Sequence, residues 1–217
     1  QKDTEVAVDI FDKRTVPYGL VRFGVAPDHP KIKSVTKRYD KTFEDERVRF
    51  FGNVKFGQDI SLDEAKEIYD AVLFSIGAPA DFALGIPGEE LSGVTAAREF
   101  VGWFNCDPED ANLPVDLSGK CAVVIGIGNV AMDVARVIAR CRDELGQTDI
   151  ADHALDKLKE SQITHIHIVA RRGPAQSACT FPELKEITGL DNVDVIVDEA
   201  HFEGIKMEEL DKEQTKM

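Results

Sequence analysis

Cys121-Ala122-Val123-Val124-Ile125-Gly126-Ile127-Gly128-Asn129-Val130-Ala131 is the stretch that decides the fold. A short apolar run ends abruptly in Gly-x-Gly-x-x-Ala. A helical pattern follows at once, with Val130, Val134, Val137, Ile138 and Cys141 spaced to share one face. The stretch therefore reads as a strand, a tight turn and a helix start. The first glycine permits the turn, and the second lets the backbone approach a pyrophosphate. The helix N-terminus then offers unpaired N–H groups and the positive end of its dipole to phosphates. In that context the motif predicts a dinucleotide site at Gly126, Ile127, Gly128, Asn129 and Val130.

The next strand of such a unit reads Ile163-Thr164-His165-Ile166-His167-Ile168-Val169 and runs into Ala170-Arg171-Arg172-Gly173-Pro174. The end of this strand faces the adenine ribose. A carboxylate there suits a 2′-hydroxyl, and an arginine suits a 2′-phosphate. Arg171 and Arg172 together favour NADP(H), because guanidinium donors match phosphate oxygens in charge and shape. Gly126 and Arg171 are 45 positions apart, against about 20 between the glycines and the ribose-binding residue in the simple motif. An added helix between Asp149 and Ser161, apolar at Ile150, Ala154, Leu155 and Leu158, accounts for the extra length.

Working outward, strands and helices alternate along the chain. A strand is expected over Val6–Phe11, closing at Asp12, and a helix over Lys31–Phe43. Val48–Phe56 is expected as a strand pair or hairpin turning near Gly52-Asn53. Ser61 and Glu64 have the spacing of a capping box. Ala71–Ile76 reads as a buried strand stopped by Gly77. Arg98–Phe104 and Thr180–Ile187 read as short helices, and Val193–Val197 as a third short strand. The alternation predicts an α/β architecture with parallel sheets and right-handed crossovers. The break at Ile86-Pro87-Gly88-Glu89-Glu90 separates two domains, residues 1–100 and 101–217.

The chain has 217 residues, 26 Lys plus Arg and 40 Asp plus Glu, for a net charge of −14. That balance argues against a nucleic-acid surface. No apolar run is long enough to span a bilayer, and the first residues carry no signal-peptide pattern. Cys106, Cys121, Cys141 and Cys179 fall at unrelated spacings, as expected of reduced thiols rather than a disulfide or zinc framework. His165 and His167 lie on one strand face without an evident third ligand, so no metal site is expected. Ser75 and Ser177 lack the strand–turn–helix setting of a nucleophile.

Asp12 closes its strand in the manner of a ribose-binding acid. Such a site also needs a preceding strand and glycine turn, and the 11 residues before Asp12 contain no glycine. At this point the sequence resembles a known family. Phe11-Asp12-Lys13-Arg14-Thr15-Val16-Pro17-Tyr18-Gly19-Leu20-Val21-Arg22-Phe23-Gly24-Val25-Ala26-Pro27-Asp28-His29-Pro30 is similar to the adrenodoxin-reductase family of ferredoxin–NADP reductases. So are Phe51-Gly52-Asn53-Val54, Phe100-Val101-Gly102-Trp103-Phe104-Asn105, Gly126 through Arg136 and Arg171-Arg172-Gly173-Pro174.

The resemblance implies two Rossmann-like dinucleotide-binding domains, an FAD domain interrupted by an NADP domain. In this chain the FAD domain would be incomplete, an internal portion with both ends missing. By the same resemblance Asp12 holds the FAD adenosine ribose, Leu20 contacts FAD, and Val54 lies near the adenine. Ile127, Gly128, Asn129 and Val130 carry the NADP pyrophosphate, Arg171 and Arg172 bind the 2′-phosphate, and Glu183 completes the NADP site. His29 and Asp133 resemble a pair that handles protons near the flavin. Read from the residues alone, Asp133 is equally an exposed helix carboxylate.

The implied activity is an NADPH-dependent flavoprotein reductase feeding a ferredoxin- or adrenodoxin-type iron–sulfur protein. It would be cytoplasmic in a bacterium or in the mitochondrial matrix of a eukaryote. An electron-input flavoprotein of glutamate-synthase type and a non-catalytic nucleotide-binding fragment are the alternatives.

Overall fold

In the computed structural model, residues 5–78, 80–203 and 205 are described. They form two compact units. The first comprises the residues up to Val25 and His29–Leu91. The second comprises Ala26–Asp28 and the residues from Ser92 on.

In the first unit, β1 (Val8–Asp12) is followed by α1 (Gly19–Phe23), α2 (Pro30–Lys33), α3 (Thr36–Phe43), β2 (Val48–Gly52) and α4 (Leu62–Ile68). β1 and β2 pair in parallel, with Val8 opposite Val48 and Asp12 opposite Gly52. The hairpin expected over Val48–Phe56 is therefore absent. After β2 the chain bends at Asn53, and the Asn53 and Val54 amides donate to the carbonyls of Arg14 and Asp12, at 2.9 and 3.0 Å. Gly52 permits this close approach, since a Cβ there would lie 2.7 Å from the Thr15 carbonyl oxygen.

The single helix expected over Lys31–Phe43 is broken at Ser34-Val35 into α2 and α3. Pro30 opens α2, where its missing N–H removes no helical bond. The Ser61–Glu64 capping box is present, with Glu64 N–H on Ser61 Oγ at 3.2 Å and Ser61 N–H on Glu64 Oε2 at 2.8 Å. Ala71–Ile76 is not a buried strand. It has no regular structure, and Leu73 is 90% exposed. Apolar character cannot hold a strand without a ladder partner to take up its amides and carbonyls.

In the second unit the order is α5 (Ala97–Phe104), β3 (Cys121–Ile125), α6 (Asn129–Ala139), α7 (Arg142–Leu145), α8 (Asp152–Lys159), β4 (His165–Val169) and α9 (Phe181–Thr188). β3 and β4 pair in parallel, Cys121 opposite His165 and Ile125 opposite Val169. The crossover between them carries three helices, which is where the extra chain length goes. α6 packs on both strands and also against α5 and α9.

Its buried face is Ala131, Met132, Val134, Ala135, Val137 and Ile138. Val130 and Cys141, expected on that face, are exposed instead. Val130 lies in the helix's first turn, and Cys141 follows the helix end. Phe104, Leu145, Ala154 and Leu158 complete a core without solvent contact. Each of the larger side chains contributes about 1.5–3 kcal/mol through burial. The Arg142 guanidinium closes the C-terminal end of α6 by donating to the carbonyls of Ile138 and Arg140, at 2.9 and 2.8 Å. The short strand expected at Val193–Val197 is irregular, and Ile196 is almost fully exposed. The charged tail beyond Ile205 lies outside the described residues.

Candidate nucleotide-binding site

β3 and β4 are adjacent and parallel, so their C-terminal ends open on the same edge of the sheet. The glycine bend leaves one end and Arg171-Arg172 leave the other. The two are tied directly, because Gly126 N–H donates to the Val169 carbonyl at 2.8 Å. Gly126 has φ of +129°, a left-handed conformation that side chains disfavour. Gly128 stands immediately before α6 in extended backbone, and a Cβ built on it would meet nothing within 4 Å. The approach to the helix N-terminus is therefore open space. The first-turn N–H groups of α6 have no acceptor within the helix. Arg171 and Arg172 are exposed, and neither has an ion-pair partner among the described residues. A pyrophosphate at the bend and a further phosphate at the guanidinium groups would meet donors on one edge. The residues fit a phosphorylated dinucleotide.

A third segment completes this edge. Ala178 N–H donates to the Ile127 carbonyl at 3.1 Å, and Ser177 Oγ donates to the same oxygen at 3.4 Å. Thr180 N–H donates to the side-chain oxygen of Asn129 at 2.8 Å. Thr180 also donates its hydroxyl to Glu183, which lies in the first turn of α9. Sequence reading missed Ser177, Ala178 and Thr180. Thr180 and Asn129 are 51 positions apart, and no local spacing announces such a contact.

Beneath the helix, Arg136 is wholly buried and bonds both oxygens of Asp28 through Nε at 2.8 Å and Nη2 at 2.9 Å. Asp133 and Glu186 lie 2.8 and 3.3 Å from the same guanidinium. Burial opposes the Arg136 charge, but the Asp28 and Asp133 carboxylates outweigh it and hold the guanidinium above its usual range. Arg140 adds a second contact to Asp28 at 2.8 Å. Asp133 is thus mostly buried in an ion pair, not an exposed helix carboxylate. Asp28 and Arg140 were also missed from sequence, because the Asp28–Arg136 pair spans 108 positions.

In the first unit, Asp12 and Val54 meet where β1 ends. Val54 N–H donates to the Asp12 carbonyl, and the Asp12 carboxylate accepts from Arg14 N–H at 2.9 Å. Leu20 sits on α1, 73% exposed. His29 precedes α2 and offers its carbonyl to the amides of Ile32 and Lys33. A carboxylate and apolar side chains at a strand end fit the adenosine end of a flavin nucleotide. No glycine bend in left-handed backbone adjoins β1 among the described residues.

NADPH-ferredoxin reductase FprA of Mycobacterium tuberculosis is 52% identical over 208 residues, covering 96% of this chain and 46% of that protein. Mitochondrial NADPH:adrenodoxin oxidoreductase of Bos taurus is 48% identical over 199 residues, covering 92% of this chain and 40% of that protein. The chain is similar to members of the adrenodoxin-reductase-type ferredoxin–NADP reductase family.

It spans about half the length of these curated relatives of the family. A solved structure of FprA from Mycobacterium tuberculosis in complex with NADPH superposes with a TM-score of 0.97 at 50% identity, over 100% of this chain and 48% of that one. The structure is that of an α/β protein with parallel sheets. No protein-family model matches the chain. Among the described residues, no helix is long and apolar enough to cross a membrane.

Proposed function

We propose that this chain works within an NADPH-dependent FAD flavoprotein reductase that delivers electrons to a ferredoxin- or adrenodoxin-type iron–sulfur protein. In this reading residues 101–217 form an NADP-binding domain inserted into a Rossmann-like FAD domain, of which residues 1–100 are part. The reading rests chiefly on one observation. The Gly126–Gly128 bend and the Arg171-Arg172 segment leave the same ends of two paired strands, joined through the Gly126–Val169 hydrogen bond. The names of the relatives add NADPH and the iron–sulfur partners.

The roles follow from position. The α6 N-terminus and the bend receive the pyrophosphate, with Gly128 leaving room for it and the backbone of Ile127, Asn129 and Val130 lining its path. Arg171 and Arg172 select the 2′-phosphate. Glu183, held by the Thr180 hydroxyl, borders the same site. Asp12, Leu20 and Val54 take the adenosine side of FAD. His29 and Asp133 handle protons near the flavin, with Asp133 held 2.8 Å from the Arg136 guanidinium. Bound FAD would supply the conversion of a two-electron hydride into single electrons. The compartment is the cytoplasm in a bacterium and the mitochondrial matrix in a eukaryote.

Calorimetric titration of the Arg171→Ala/Arg172→Ala variant with NADP+ and NAD+ tests the reading. Each lost charge-assisted bond is worth about 1.5–3 kcal/mol. NADP+ should therefore bind about 100-fold more weakly, while NAD+ changes by less than about threefold. Equal losses for the two nucleotides would overturn the assignment.

A further inference from the structure

The segment from Val169 to Thr180 is fastened to the glycine bend on both sides of the arginine pair. The forward anchor is the Gly126–Val169 hydrogen bond. The rear anchors are the Ala178 amide on the Ile127 carbonyl, with Gly128 and Ala178 forming a parallel bridge, and the Thr180 amide on the Asn129 side chain. A 3₁₀ turn at Pro174–Gln176 shortens the path between them. The arginines thus sit in a loop whose two ends bind three residues at the bend, Gly126, Ile127 and Asn129. Of these fastenings only the Thr180–Asn129 bond uses a side chain at a normal hydrogen-bond length as its acceptor. The Thr180 amide precedes α9 and has no acceptor within that helix.

We propose that Asn129 is a positioning residue for nucleotide specificity. Its side-chain oxygen, holding Thr180, sets the spacing between the bend and the arginine loop, so that one ligand carrying both phosphate groups engages both at once. The proposal rests on the nucleotide reading above and adds a role that the Asn129 backbone alone would not have. The physical gain is one of effective concentration. Two subsites at a fixed spacing bind a linked ligand more tightly than either fragment suggests, and a slack connection loses that advantage without removing a contact.

The experiment titrates the full chain and its Asn129→Ala variant with three probes. NADP+ spans both subsites, NAD+ uses the bend alone, and adenosine 2′-monophosphate uses the arginines alone. The variant should lose about tenfold in NADP+ affinity while each fragment changes by no more than about twofold. Ser177→Ala, which slackens the neighbouring anchor on Ile127, should shift NADP+ in the same direction by a smaller factor and serves if Asn129→Ala fails to fold. Unchanged NADP+ affinity in a folded variant, or equal losses for all three probes, would overturn the positioning role. The Arg171→Ala/Arg172→Ala variant, run alongside, separates the two claims. If it leaves the preference for NADP+ intact, the nucleotide reading itself has failed.

Discussion

The two units are built on the same local plan, a parallel strand pair with helices in the crossover and polar side chains where the strands end. They differ in what they bury. The second unit encloses Phe104, Val137, Leu145 and Leu158 almost completely. Among the described residues of the first unit, the buried apolar side chains are Phe23 and Ala65, while Leu73 and Phe82 stand 90% and 97% exposed. A strand pair needs only backbone complementarity and a suitable crossover. A core also needs mating surfaces on both sides of the sheet. In the second unit α6 supplies one through the i, i+3, i+4 spacing of its apolar residues.

That contrast can be broken first by truncation. Leu158→Ala should cost the second unit about 2–5 kcal/mol, because the cavity lies in closed packing. Leu73→Ala should change stability by less than about 0.5 kcal/mol. Trp103 is the chain's one tryptophan and lies in the second unit's core, so its fluorescence during urea denaturation reports that unit. Hydrogen exchange reads the first. Comparable losses at the two positions would erase the distinction.

A smaller effect is expected from overpacking. A Cβ on Gly102 would fall 2.1 Å from Asp110 Oδ2. Gly102→Ala must therefore displace Asp110 and its 3.2 Å contact with Arg98, at a cost of about 1–3 kcal/mol. The midpoint of Trp103-monitored unfolding checks this. Smaller again is the loss of the α4 cap in the first unit. Ser61→Ala should cost about 1 kcal/mol, visible as faster amide exchange across Leu62–Ile68.

Acid should act on the units in opposite senses. The Arg49 guanidinium, with the Tyr69 hydroxyl, holds the Asp9 carboxyl below the usual range. Its stabilising contribution is complete above the ordinary carboxylate value, near pH ~4. It is lost as pH falls through the lowered value. Burial raises Asp110, against the pull of Arg98. Its contribution is greatest below the ordinary value and declines as pH rises through the raised one. Hydrogen exchange between about pH 5 and 3 should show first-unit protection falling before second-unit protection. Asp9→Asn should flatten the first profile, and an unchanged profile would remove Asp9 from the account.

Much of this was legible along the chain. The β3–bend–α6 unit, the arginine-bearing strand and the Ser61–Glu64 cap each follow from residues close in sequence, where steric freedom, capping chemistry and helical spacing act locally. The errors share a cause. Ala71–Ile76 and Val193–Val197 have strand composition, but a strand exists only through its partner, and partners are not encoded in the run itself. The Val48–Phe56 reading took Gly52-Asn53 as a reversal, whereas the close approach of Thr15 and Arg14 made the glycine a packing site. In the candidate nucleotide site, glycines and arginines announced themselves by residue type. The Asn129–Thr180 fastening and the Asp28–Arg136 pair did not, since each joins ordinary residues far apart in sequence.

By itself, then, the sequence determined the α/β order, the glycine bend and the two guanidinium groups. Backbone conformational freedom, apolar periodicity and formal charge are properties that residues carry into any fold. Only tertiary structure decided that the bend and the arginine-bearing loop meet at one edge, tied through Val169, Ala178 and Asn129. It also decided which apolar runs became core. Hydrogen bonding and burial are relations between distant residues, and their free energy exists only once both partners are in place.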